Sequence, residues 1–317
     1  MEPAARKQLK YEVNLLMLGL IVYALISGLI VAGDFFVRGF LSAISGSPDM
    51  QGLRQRGEES AVSTIIGILV AFLVLYLMSR KRAPMRTIFR SNRPMTFTTF
   101  IKLFCVFSSG QLLFTGFDIL LEKCLNMFGL SAMEAVESAT AMSETISMFI
   151  YACIVAPLFE ELVYRGVAMR RMQLMGRKFA VVISAFLFGV MHANIPQAFF
   201  AFFVGLVLGY TAIEYSIAYA ILMHFINNFL FGDLYSYLAK PLPEIAGDVA
   251  YYLLFGVMTF CGIIVVFTHR HDIAAWMKEN RAPKGAYRAA FTSVLMIVFI
   301  LMHFALSLLL ITPLEPH

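Results

Sequence analysis

Residues Ile146 to Arg165 read ISMFIYACIVAPLFEELVYR. The run from Ile146 to Phe159 carries no charge and then meets Glu160 and Glu161, with Arg165 four residues after the second acid. An uncharged stretch of this kind, continued through its polar end, reads as a helix crossing a bilayer. Ionisable groups there cost a few kcal/mol or more at the helix centre and so mark function by default. Successive helical residues point about 100° apart, so the two carboxylates cannot share a face. Glu161 and Arg165, acid first at i,i+4, are placed to pair, which leaves Glu160 without a local cation. Pro157 removes the hydrogen bond to the carbonyl of Cys153 and kinks the helix beside the acids. The bland alternative for this segment is a helix end at the membrane surface with its acids and arginine solvated.

The rest of the chain decides for a membrane fold. Of 317 residues, 60% are hydrophobic and 14% charged, and the mean hydropathy is +0.77. A soluble domain is roughly 45–50% apolar and about 25% charged. Apolar stretches recur at roughly 14–33, 61–79, 98–121, 144–166, 179–193, 197–215, 217–231, 249–268 and 289–311. The expected fold is all-α, a polytopic transmembrane bundle of eight to nine spans around an intramembrane polar site. It forms a single integral membrane domain over 1–317, with a motif-bearing core at about 146–231. The stretch from Asp34 to Glu59 is the longest expected non-spanning piece, either an interfacial segment or a loop. The net charge of +5 does not point to nucleic acid, because the basic residues sit in short loops. Arg80 to Arg93 carries six cations and no acid, which predicts a cytoplasmic loop and a cytoplasmic amino terminus. Glu122, Glu134, Glu137 and Glu144 fall in an opposite loop. Cys105, Cys124, Cys153 and Cys261 have no CxxC spacing, so neither a disulfide framework nor a zinc knuckle is indicated.

Two more polar groups interrupt apolar spans. Phe188 and His192 share a face at i,i+4, as do His224 and Asn228, with Asn227 turned partly the same way. Alone, each histidine reads as a packing residue and each amide as interhelical glue. At about 1.5 Å per residue from the basic loops, Glu160 lies roughly 15 Å deep, His192 about 20 Å and His224 about 10 Å, so all can meet in one layer. A carboxylate and a histidine can activate a water, while a second histidine and an amide can donate to an oxyanion. That is the chemistry of peptide hydrolysis. Asp118, Gln111, Glu214, His269, His271 and His303 read as structural or solvated.

The ordered set EExxxR (Glu160, Glu161, Arg165), FxxxH (Phe188, His192) and HxxxN (His224, Asn228) resembles the CPBP family of intramembrane proteases, which includes CAAX-processing Rce1-like and bacteriocin-processing Abi proteins. The resemblance covers Ile146 to Phe231. It implies an endopeptidase in which Glu160 and His192 activate water, His224 and Asn228 form the oxyanion hole, and Glu161, Arg165 and Phe188 support them. Its implied partners are membrane lipid and a peptide or protein substrate, prenylated or membrane-anchored, and its short loops suit a bacterial plasma membrane. The family is often described as metalloprotease, and Glu160, His192 and His224 are a conceivable zinc set. The absence of HExxH and the need for Glu160 as base favour a metal-free water. Two other functions use the same residues: an inactive family member serving as membrane scaffold or sensor, and a transporter, which would carry an internal repeat that this chain lacks.

Overall fold

A computed structural model describes residues 1–44, 60–84 and 88–314. Its helices are α1 Pro3–Ile44, α2 Val62–Ser79, α3 Phe97–Asn126, the short α4 Met133–Thr140, α5 Ile146–Met175, α6 Arg177–Val190, α7 Ile195–Glu214, α8 Ile217–Ala239 and α9 Glu244–Thr268. They are followed by α10 Arg270–Glu279, α11 Ala286–Phe291 and α12 Val294–Leu310. Among the described residues a single antiparallel pair joins β1 Leu130–Ser131 to β2 Thr312–Pro313. Apart from this pair the regular structure described is helical, as the long apolar stretches imply. All nine apolar stretches are helices. Among the described residues seven are long and apolar enough to cross a membrane, and α6 and α12 are shorter.

The first span differs from expectation at its end. Rather than stopping before Asp34, α1 runs on to Ile44. Its late charges satisfy each other on the helix surface, with Arg38 Nε 2.8 Å from Asp34 Oδ1, and the residues between and beyond them are helix-compatible apolar side chains. Positions 45–59 of the expected loop, and Arg86 in the basic loop, lie outside the described residues.

Helix α1 packs on α2, α3 on α9 and on α7, and α6 on α7. Small residues allow the closest of these approaches, as expected where lipid offers no hydrophobic drive to association. A Cβ on Gly189 of α6 would sit 2.6 Å from the Ala198 carbonyl oxygen of α7.

Side-chain contacts sort the connections into two ends. At one end the basic segments are tied together: Arg82 and Arg171 reach Glu12 at 3.0 and 2.7 Å, Lys10 donates to the Thr292 carbonyl, and Arg93 and Arg177 both pair with the buried Glu214. Trp276 of α10 donates its indole N–H to the same carboxylate at 2.8 Å. At the other end Asn194 donates to the Ala135 carbonyl, the Ser143 N–H donates to Asp233, and the β pair closes. Threading from end to end, α6 and α12 connect the two ends as fully as the longer helices do.

Candidate active site

Helix α5 is regular only in parts. Residues 150–155 and 162–169 are π-helical, and the α-helical turn 156–161 between them carries Glu160 and Glu161. Pro157 accounts for the first irregularity. The Ala156 N–H bonds to the Tyr151 carbonyl, five residues back, so the Ala152 carbonyl loses its α-helical partner. Its π-helical partner would be residue 157, which as proline has no N–H. Asn228 fills that position from α8, its Nδ2 donating to Ala152 O at 2.8 Å. The π turns frame the acids, an arrangement frequent at functional sites, and a third π segment, Asn227–Leu234, starts at the asparagine pair.

Glu161 and Arg165 pair as their spacing predicts, Nη1 to Oε1 at 3.1 Å, with neither side chain exposed. Arg165 also donates Nη2 to the Gly205 carbonyl at 3.2 Å and lies over the Phe188 ring, 4.4 Å from its centroid. A side chain on Gly205 would meet that guanidinium at 3.1 Å. Glu161 has a second partner the motif does not announce: its Oε1 accepts from His224 Nδ1 at 3.1 Å. The other imidazole nitrogen, Nε2, points to Glu160 Oε2 at 3.8 Å. Glu160 is therefore close to one histidine and has no guanidinium in ion-pair range among the described residues.

His192 lies just beyond the end of α6. Its Nδ1 is 2.7 Å from the Phe188 carbonyl, and since a carbonyl only accepts, Nδ1 carries the hydrogen and Nε2 is left as an acceptor. The next residue, Ala193, takes φ 49°, a left-handed backbone uncommon for a residue with a side chain. Asn194 then caps α7 by accepting from the Gln197 N–H. His192 is thus held between a helix end and an anchored turn. Phe188 joins the site together, its ring 5.0 Å from that of His192 and 5.8 Å from that of His224, both edge-on.

Glu160, Phe188, His192, His224 and Asn228 line one cavity of about 1520 Å³, together with Tyr23, Tyr151, Gln111 and Asn227. Glu161 and Arg165 sit behind this surface. Two lining residues carry more than the sequence indicated. Gln111, which read as structural, donates from α3 to Asn227 Oδ1 at 3.1 Å, and Asn227 donates to Asn228 Oδ1 at 3.0 Å. Of the two Asn228 amide hydrogens one is committed to Ala152, and the second has no partner among the described residues. Only a tertiary contact between α3 and α8 reveals this relay. His303, by contrast, packs against Phe299 in α12, as expected.

Residues 142–230 match the model of the family described as type II CAAX prenyl endopeptidase Rce1-like. That segment is similar to the CPBP/CAAX protease family. All three motifs lie inside the matched segment, while α1, α2, α3, α9 and α12 lie outside, although α1 and α3 contribute walls to the cavity. No curated protein and no solved structure matches the chain. As for zinc, Glu160, His192 and His224 share the cavity, but among the described residues no three His, Cys, Asp or Glu side chains are grouped as a metal ion would require. The donors are arranged instead toward each other and toward backbone carbonyls.

Proposed function

We propose that this membrane protein is an endopeptidase that cleaves a peptide bond inside the cavity with a water activated by Glu160 and His192. The observation that carries the reading is the division of partners between the adjacent acids. Glu161 is consumed by Arg165 and His224, which leaves Glu160 facing the cavity with a free carboxylate edge. His192 presents a bare Nε2 to the same space, so a water there meets two acceptors.

The water oxygen attacks the scissile carbonyl carbon as its proton passes to Glu160, and the carbonyl π electrons move onto oxygen. The resulting oxyanion accepts hydrogen bonds from the uncommitted Asn228 amide hydrogen and from His224 Nε2. A histidine that donates from Nδ1 to Glu161 and from Nε2 to the oxyanion is the imidazolium. With it the buried charges of Glu160, Glu161, Arg165 and His224 sum to zero, which suits a site of low dielectric. Collapse of the intermediate breaks the C–N bond, and Glu160 returns its proton to the leaving amine. Arg165 and Phe188 touch no reacting atom; they hold Glu161 and the two imidazoles in place.

The deciding experiment compares membrane proteomes of cells carrying the wild-type chain and Glu160→Gln. Polypeptides that accumulate uncut only with the glutamine variant are the expected result. Identical peptide profiles would leave the scaffold or sensor reading in its place.

A further inference from the structure

Among the described residues, the cavity lining runs from Glu160 and His224 toward one end of the bundle. At its floor Tyr164, Arg165 and Val167 are buried to within 1%, and these lie between Glu160 and the end where Arg171 and Arg82 meet Glu12. At its other extreme the lining comprises Phe36 and Phe40 of α1, Ser138 and Thr140 of α4, and Ser236 of α8. Phe36 and Phe40 are 74% and 57% exposed. This mouth therefore lies at the end that holds the β pair and the Asn194–Ala135 contact, opposite the tied basic segments. Cationic loops remain on the cytoplasmic side of membranes.

We propose that the mouth faces the non-cytoplasmic side, and that the substrate is an exported polypeptide whose scissile segment lies at the outer leaflet. A cytoplasmic carboxyl terminus would meet the sealed floor instead. The inference rests on the cavity being a peptidase site, and α1 supplies a further argument for the substrate's character. At 42 residues it is roughly 63 Å long, about twice the ~30 Å hydrocarbon thickness. Its last turns carry Phe36, Phe40, Leu41 and Ile44 exposed, an apolar wall at the mouth that suits a substrate stretch lying on the membrane. Entry from this side brings the segment to His192 first, since that residue sits at the α6 end nearest the mouth, and then to Glu160 and His224.

The test uses single-cysteine probes in the full chain, with Cys105, Cys153, Cys261 and Cys124, the last exposed at the mouth end, changed to serine. Thr140→Cys lies at the mouth, Gln197→Cys within the cavity wall and Arg90→Cys in a basic loop. Intact cells treated with a membrane-impermeant thiol reagent should label the first two, and Arg90→Cys only after lysis. Labelling of Arg90→Cys alone in intact cells would overturn the proposal. The second arm asks where the polypeptides that accumulate with Glu160→Gln are cut in wild-type cells. Cuts in non-cytoplasmic segments are expected, and cuts in cytoplasmic tails would overturn the substrate class. Outward labelling with no accumulating polypeptide would overturn the peptidase reading and the substrate claim with it, while the direction of the mouth stood.

Discussion

Replacing Glu161 by Gln keeps the shape of the side chain and removes its charge from a pair in which neither partner is exposed. Arg165 would then be a lone cation in a helical interior. Breaking a buried pair in this way costs about 3–5 kcal/mol, or roughly two to nearly four powers of ten in the unfolding equilibrium. The contacts left to Arg165 offset little of this. The Gly205 carbonyl at 3.2 Å and the Phe188 face at 4.4 Å are already made in the parent. The glutamine carbonyl can still accept from His224 Nδ1, so the loss there is limited to the charge-assisted part of that bond. Arg165→Gln strands Glu161 in the same manner, although His224 remains beside the carboxylate, so its cost should fall at the lower end of the same range. In Glu161→Gln/Arg165→Gln no lone charge remains, and the double variant should be more stable than the sum of the single losses by about 2 kcal/mol or more, a coupling of the size found for residues in direct contact. Reversible unfolding in mixed micelles of rising denaturing-detergent content, followed by far-ultraviolet circular dichroism, measures all four corners of the cycle. Additive losses would show that the two side chains do not act as a pair. A Glu161→Gln protein as stable as the parent would show that Arg165 is hydrated rather than enclosed.

Glu160→Gln should abolish turnover while leaving expression and unfolding near the parent, because among the described residues this carboxylate has no guanidinium partner to strand and only His224 Nε2, at 3.8 Å, lies in ion-pair range; residual turnover within tenfold of wild type would assign the base elsewhere. Asn228→Ala should lower kcat by roughly 10²- to 10³-fold, the usual cost of one oxyanion donor, and Asn227→Ala by about tenfold, since it acts only by orienting Asn228; single-turnover rates on one identified substrate decide whether that order holds. Pro157→Ala restores an N–H able to compete for the carbonyls around Ala152, so it should straighten α5, stabilise the fold slightly and slow turnover by releasing Asn228. Unchanged kcat in that variant would mean that the carbonyl is not what holds the amide.

The motif residues could be read from the sequence because the chemistry that makes them conspicuous is local: a charge, an imidazole or an amide inside an apolar run, and spacings of four that put partners on one face. The Glu161–Arg165 pair follows from such a spacing alone. The His224–Glu161 bond does not, because it joins α8 to α5 and no periodicity within either helix encodes it. The same holds for the relay from Gln111 through Asn227. The π turns of α5 escaped for another reason. A wider hydrogen-bond register leaves the apolar pattern of a helix almost unchanged, and Pro157 indicated only that something must yield near Cys153. The continuation of α1 past Asp34 was misjudged because two charges looked like a boundary, whereas at i,i+4 they neutralise each other on the helix surface. The sorting of connections into a basic and an acidic end was legible from charge alone, and the contacts of Glu12 and Glu214 now give it a three-dimensional form.

The enclosed Glu161–Arg165 pair also bears on how well the membrane remains insulated. On the side of Arg165 away from the cavity lies a small polar recess of about 120 Å³, lined by Asn92, Arg170, Gln173 and Arg177 as well as by Arg165 itself. The site cavity and this polar recess thus approach each other from opposite faces, and the partition between them is about as thick as this ion pair and the aromatic rings packed on it. Much of any transmembrane voltage would fall across that partition rather than across the whole bilayer. A fixed guanidinium at the narrowest point repels protons and metal cations, as arginines do in water-conducting pores. The residue that pairs with Glu161 would then also stop a half-drilled membrane from becoming a proton leak.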